Sequence, residues 1–309
     1  MNKRIILPIA AGVAIAFGML TSCSKQEMTP NGVPEFYIDG INYDNYPNVD
    51  CSESELPLQK EVASIIFGSK NTASFDKITR CSGTEGAIRN LIDGKADLIL
   101  ISRNLTSDER AYASAKGVKL TQIGIAHDAL IFLANPNNHL SDFTLSSNQI
   151  QRIFNGQISN WSEVGGDNLT IRCYNRDEGS DSRAYMENEM MGGARPVSQG
   201  LPSIDEDSKQ PFAPLAEDCG SMTYSTYSYY MNHNEGSVLG IVNVNGWFLT
   251  YQDIESGEYP YTTDVYLLIR SDIDGNSNAH KLYMLMSDCN MRKDIMRGAI
   301  IKCNLAPSR

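Results

Sequence analysis

Three short segments set hydroxyl groups at the point where an apolar run gives way to a helical pattern: Cys51-Ser52-Glu53-Ser54, Cys81-Ser82-Gly83-Thr84 and Gly179-Ser180-Asp181-Ser182. A helix start carries unpaired backbone N–H groups and a partial positive charge, so such a loop can hold a small anion with amides and hydroxyls together. Any one of the three taken alone reads more readily as a helix cap and nothing else. Arg176, four residues ahead of Ser180, adds a guanidinium whose planar fork matches two oxygens of a tetrahedral anion. The chemistry these residues suit is recognition of an oxyanion, not its turnover. His127, His139, His233 and His280 have no metal-ligand spacing, and no G-x-S-x-G nucleophile motif is present. Asp272-Ile273-Asp274-Gly275-Asn276 begins like a calcium loop but lacks its later glutamate, so it reads as a turn. The expectation is a binding protein, not an enzyme, with no metal and no cofactor.

The elements around these loops alternate. Residues 49–51 precede a helical pattern at 56–67, residues 75–81 precede one at 85–92, and 96–101 precede one that starts at Thr106. Such alternation predicts βαβ units in a mostly parallel sheet, where ligands bind beyond the carboxyl ends of the strands. Gly68 and Gly94 fall where helices end. Residues 123–133 form an apolar strand pattern interrupted by His127-Asp128, long enough to pass from one lobe into another. A strand at 261–269 returns, and 281–300 closes in helix; the tyrosine- and serine-rich stretch 221–230 reads as a helix packed by its aromatic faces. The fold class expected is α/β with two lobes, 37–126 plus 246–309 and 127–245, and a ligand cleft between them.

Lys3 and Arg4 precede an apolar run over 5–20 that ends in Leu20-Thr21-Ser22-Cys23. The run contains Pro8, Gly12 and Gly18 and falls short of the ~20 apolar residues of a membrane span, so it reads as a secretory signal. Leu20-Thr21-Ser22-Cys23 resembles the lipobox of bacterial lipoproteins, which implies a signal peptide over 1–22, lipid on Cys23 and a polar tether over 23–36. Acyl chains hold a folded domain on a membrane of the cell envelope. The chain carries 26 basic and 37 acidic residues, net −11, or −13 without Lys3 and Arg4. That balance opposes nucleic acid and anionic membrane surfaces as partners, whereas a small anion is governed by donors within a few ångströms. Beyond Cys23 lie Cys51, Cys81, Cys173, Cys219, Cys289 and Cys303, an even count that permits disulfides of open connectivity in an exported chain. Cys51 and Cys81 each close a strand pattern ahead of a candidate loop, and neighbouring parallel strands would let them bridge. Buried free thiols are the alternative.

Residues 81–98, with Ile101-Ser102-Arg103-Asn104-Leu105, resemble the phosphate-binding proteins of ABC phosphate importers. Residues 145–166, with Ile153-Phe154-Asn155-Gly156, Ile158-Ser159-Asn160-Trp161 and Glu163-Val164-Gly165-Gly166, are similar to that family's most recognisable motif. Arg176-Asp177-Glu178-Gly179-Ser180-Asp181-Ser182-Arg183 resembles its anion loop, and 235–242 and 259–266 fall where later motifs belong. The resemblance covers about 49–300. It implies a periplasmic-binding-protein fold of the second type, a monomer that closes on phosphate and delivers it to an ABC permease. The ligand donors it implies are Ser52, Ser54, Ser82, Arg176, Ser180 and Ser182, with Gly83, Thr84, Gly179 and Asp181 in the same loops and Ser102 and Arg103 in the segment 101–105. Asp181 stands where the family usually has glycine, Ser182 where it has threonine, and Arg103 where many members have aspartate. Sulfate, molybdate or tungstate are the alternative ligands, and a surface sensor or adhesin without transport is the alternative role.

Overall fold

Leu98-Ile99-Leu100-Ile101 is buried throughout, and it forms an interior strand, the place where an unbroken apolar run is covered on both faces. A computed structural model describes residues 27–28, 34–35, 38, 40–68, 75–204, 210–234, 239–287 and 297–307; residues 1–22, where a signal peptide is expected, lie outside these, as do Cys23, Cys289 and residues 235–238. The main strands in chain order are β1 (Val49–Cys51), β2 (Leu98–Ile101), β3 (Leu120–Ala134), β4 (Arg172–Cys173), β5 (Ser221–Thr226) and β6 (Thr262–Arg270). They lie side by side in the order β1, β2, β6, β3, β5, β4, with Gly240–Ile241 and Ala306–Pro307 also paired to β3.

The sheet is mixed, not mostly parallel as the alternation of elements predicts. Pairs β1/β2 and β4/β5 are parallel, but β6 runs antiparallel to both β2 and β3, and β3 runs antiparallel to β5. Alternation along the chain reports only sequential neighbours, whereas β6 arrives from far downstream and inserts between β2 and β3. Residues 120–129 of β3 pair with β6 and residues 130–134 with β5, so one strand serves both lobes. Val49, Leu58, Val62, Leu100 and Leu267 pack one core of the first lobe, and Ile88, Leu91, Ile99 and Ile101 pack its opposite face. Phe132, Phe154, Trp161 and Tyr224 centre one core of the second lobe, with Ile131, Leu133, Phe212 and Tyr229 across its sheet.

Helices start and stop where their ends are satisfied. Helix α1 (Leu56–Phe67) has proline in its first turn and ends at Gly68, whose φ of 60° suits a residue without Cβ. Helix α2 (Gly83–Ile92) follows the second loop; α3 (Ser107–Ala115) and α4 (Ser147–Phe154) open with capping boxes, Thr106 with Glu109 and Ser146 with Gln149. The second lobe adds α5 (Asp181–Tyr185) and α6 (Tyr227–His233), and α7 (Asn278–Ser287) and α8 (Arg297–Lys302) close the chain in helix.

Two local expectations fail. Residues 75–81 are not a strand: the amides of Ile78 and Thr79 turn back to the Phe75 carbonyl at 2.9 Å, and only Thr79 makes an isolated bridge, to Val49. Residues 221–230 are not one helix, because Ser221–Thr226 is a strand buried at every residue between β3 and β4. There the β preference of Thr and Tyr wins, and Thr226 caps the helix that begins at Tyr227. The turn at 75–81 also bears on the cysteines. Cys51 and Cys81 are neighbouring free thiols, not a disulfide, and Cys173, Cys219 and Cys303 are free as well. Cys51 Sγ donates to the Arg80 carbonyl at 3.3 Å, and burial pushes its thiol pKa up, which disfavours the thiolate that oxidation needs.

Asp128 sits where β3 passes between the lobes, is 0 % exposed, and accepts the Ser228 amide (3.0 Å) and hydroxyl at the start of α6. Burial raises its pKa from 3.8 to about 6. The folded state therefore holds this proton more tightly than the unfolded chain. The stability that results, about 3 kcal/mol, is present below pH about 4 and lost as pH rises through about 6. Asp128→Asn keeps the acceptor for the amide and turns the other position into a donor to the Ser228 hydroxyl. The variant should show a flatter melting temperature against pH between 4 and 7 than the parent; equal slopes by calorimetry would remove Asp128 as a source of that dependence.

Candidate functional site

Parallel strands β1 and β2 end on the same edge of the sheet, so the residues that follow them, Ser52 and Ser102, emerge side by side. The Ser52 amide extends the ladder to the Leu100 carbonyl at 3.0 Å, which fixes its position. The start of α2 brings Thr84 to the same edge, and the 3-10 turn Glu53–Glu55 folds Glu55 back beneath it. From the second lobe comes Asp181, the first residue of α5, in a turn capped by the Ser180 hydroxyl, which accepts from the Arg183 amide at 3.3 Å.

These side chains meet at one point between the lobes, sealed from solvent: Glu55, Thr84 and Ser102 are 0 % exposed, Ser52 1 % and Asp181 3 %. The Asp181 carboxylate accepts from the Thr84 hydroxyl at 2.8 Å and from the Ser102 amide at 3.1 Å, with Arg103 Nε 3.8 Å away. The Glu55 carboxyl accepts from the hydroxyls of Ser52 and Ser102. Arg103 is itself held by Glu109 through two contacts of 2.8 Å. Two further links cross the cleft: Ser54 Oγ to Thr226 Oγ1 at 3.3 Å, and Tyr185 to Thr263, whose hydroxyl also donates to the Ser102 carbonyl at 2.9 Å.

Two carboxyls so close in a dry site cannot both carry charge cheaply. Burial, then the neighbouring Asp181 charge, holds Glu55 well above the usual carboxylate range. Burial raises Asp181 too, but Arg103 and the donors from Ser52, Thr84 and Ser102 oppose it. Burial thus raises both carboxyls, Glu55 the more strongly, and Arg103 stands on the Asp181 side of the pair. Chemically, the first lobe presents a hydroxyl, an amide and a guanidinium to an oxyanion, and the group now held there is the protein's own carboxylate.

Of the residues expected from sequence, the cluster gathers Ser52, Thr84, Ser102, Arg103 and Asp181. Ser54 lies at its edge, and Ser180 and Ser182 are buried beside it with their hydroxyls 3.4 Å apart. Ser82 is not brought in: it is exposed, its amide donates to Asp50 Oδ1 at 3.0 Å, and its hydroxyl accepts from Asn90. Gly83 makes the turn into α2 with φ 71°, and Gly179 is exposed. Arg176 is buried, but its guanidinium lies over the Tyr229 ring, 4.4 Å from the centroid, with Nη1 3.3 Å from Ser225 Oγ. The cation that pairs with Asp181 is Arg103. Of the acids in these loops, Glu85 and Glu178 are exposed and paired with Arg89 and Arg195. Glu55 is the residue that sequence reasoning missed, although Ser52-Glu53-Ser54-Glu55 carries the S-x-x-E spacing that sets a serine against a glutamate at a helix start. Outside the cluster, a cavity of about 690 Å3 opens between Glu85, Arg89 and Arg103 on one lobe and Glu178, Ser180 and Arg195 on the other. Among the described residues no group of three His, Cys, Asp or Glu could hold a metal, and no helix is long and apolar enough to cross a membrane.

Known proteins share this arrangement of the chain. It is 23 % identical to the protein SphX of Synechococcus elongatus over 288 residues, which is 90 % of this chain and 78 % of that one. It is 26 % identical to the phosphate-binding protein PstS of Bacillus subtilis over 155 residues, half of this chain and 48 % of the relative. The crystal structure of an ABC-type phosphate transport receptor from Vibrio cholerae superposes with a TM-score of 0.62 at 19 % identity, covering 84 % of this chain and 98 % of that one. The two-lobed α/β fold with a cleft between lobes is thus that of phosphate-binding periplasmic proteins. With residues 47–282 matching the PBP superfamily domain, the chain belongs to the PBP superfamily.

Proposed function

We propose that this chain is an exported solute-binding lipoprotein that captures inorganic phosphate between its lobes and delivers it to an ABC transporter. The observation that carries the reading is the convergence of the Thr84 hydroxyl, the Ser102 amide and Arg103 on the Asp181 carboxyl, in a site closed to water. A dry set of donors of this kind serves a small oxyanion, and relatives named for phosphate binding or phosphate transport support phosphate among them. Ser54, Ser180, Ser182 and Arg176 would complete the shell from the loops around the cluster, Arg176 by turning from Ser225 toward the ligand. The lobes are residues 37–126 with 246–309, and 127–245; they rotate about the crossing of β3 to admit and enclose the anion. The protein acts as a monomer without cofactor or catalysis. Calorimetry on the chain lacking residues 1–22, with phosphate, sulfate, molybdate and tungstate in parallel, tests the ligand. Saturable binding of phosphate above the others is expected; binding of none would assign the fold to sensing or adhesion.

The same reading places the protein outside the cytoplasm, held by lipid on Cys23 after removal of residues 1–22. Cys23→Ala should abolish fatty-acid labelling and release the protein from membranes. A labelled, membrane-bound Cys23→Ala protein would sink the anchor.

A further inference from the structure

The Asp181 carboxylate crosses the cleft and uses donors that the first lobe offers. It accepts from Thr84 Oγ1 at 2.8 Å and the Ser102 amide at 3.1 Å, and it lies 3.8 Å from Arg103 Nε. All three partners belong to the first lobe, whereas Asp181 opens α5 of the second. The side chain thus crosses the cleft, and at 3 % exposure it is as buried as a captured ion would be. We infer that the Asp181 carboxyl occupies the first lobe's oxyanion cradle, latching the lobes together and competing with the ligand for the same donors.

Two physical consequences follow. A binding protein without ligand ordinarily gains little from bringing its polar cleft walls together, since dry donors without an acceptor are costly. Here Asp181 satisfies them, so closure does not wait for the ligand. An incoming oxyanion must displace the carboxylate, and its apparent affinity falls by the population of the latched state. The cavity outside the cluster is bordered by Arg103 and Ser180, the neighbours of the latch on either lobe. The competition rests on the phosphate reading; the latch does not.

The test uses the chain without its signal segment, freed of bound anion by unfolding, dialysis and refolding, and compares the parent with Asp181→Ala. Small-angle scattering without ligand should give a larger radius of gyration for Asp181→Ala, returning to the parent value with saturating phosphate, while the parent changes little on adding phosphate. Calorimetry should show phosphate binding to Asp181→Ala at least about tenfold tighter, which is ~1.4 kcal/mol. Asp181→Asn, which keeps size and one acceptor but no charge, should fall between, and it carries the test if the alanine variant does not fold. Unchanged scattering in folded variants, or phosphate affinity equal to or weaker than the parent's, would overturn the internal competitor. Opening on substitution with phosphate bound by neither protein would uphold the latch and defeat the phosphate reading instead.

Discussion

Arg103→Ala is expected to weaken phosphate binding by at least about 30-fold, the largest effect of any single side chain on the first lobe's side of the cleft. Arg103 is the cation that pairs with Asp181, 3.8 Å from its carboxylate, and two contacts of 2.8 Å to Glu109 hold the guanidinium in that place. Its side chain is only 12 % exposed, so solvent screens it little. Truncating one partner of a buried charged pair costs on the order of 2–5 kcal/mol, and the lower figure already corresponds to about 30-fold. Because Arg103 also steadies Asp181, its loss weakens the competitor as well as the ligand. The comparison is therefore cleanest in an Asp181→Ala background, where the full loss should be read. Arg103→Lys should recover part of it, since an ammonium cannot hold Glu109 by a fork and face the cleft at once. Arg89, exposed on α2 and paired with Glu85 at 3.4 Å, is the control, and Arg89→Ala should leave affinity within about twofold, as for a screened surface pair. Calorimetry with phosphate decides; equal affinity in a folded Arg103→Ala protein would remove this arginine from the site.

Trp161→Ala should lower the melting temperature by on the order of 10 °C, from about 3–5 kcal/mol lost when a large aromatic leaves a core. Trp161 is 0 % exposed, packs with Phe154 and Tyr224 in the second lobe's core, and donates its indole N–H to the Gly220 carbonyl at 3.2 Å. The corner cannot collapse into the gap: a Cβ on Gly220 would already overlap the Thr170 carbonyl oxygen, so these backbones touch. Gly220 leads directly into β5, and its carbonyl also accepts the Arg172 amide at 2.9 Å, which registers β4 against β5. Trp161→Phe keeps most of the volume but loses the hydrogen bond, and its smaller loss, about 1–3 kcal/mol, would divide packing from polar anchoring. Thermal unfolding followed by calorimetry checks both. A Trp161→Ala protein that melts within 2 °C of the parent would refute the claim that this residue holds the lobe, since even a loss of about 1 kcal/mol shifts a domain of this size by that much.

Several features of this protein can be read from residue order alone, because they depend on local rules. Strand β1 before helix α1, the uninterrupted apolar β2, the Thr106 cap of α3 and a β3 long enough to serve two lobes all follow from period, capping and length. The loops bearing Ser52, Thr84 and Asp181 were likewise legible, since a hydroxyl-rich turn ahead of a helix advertises unpaired amides, whereas Ser102 came only from the family resemblance. What needed the tertiary structure is which of these groups face each other. β6 joins the sheet from far along the chain, making it mixed, and no local pattern encodes a partner at such separation. Ser82 and Thr84, two residues apart, differ only in direction: α2 turns Thr84 inward to Asp181 and leaves Ser82 outside on Asp50 and Asn90. Arg176 and Arg103 look alike as anion ligands in a sequence, yet packing sends the first over Tyr229 and sets the second beside Asp181. Asp181 reads singly as a solvated helix-start acid, and Glu55 is passed over. Only the packing of one lobe against the other strips their water, holds Glu55 well above the usual carboxylate range and sets Asp181 on the donors of the first lobe.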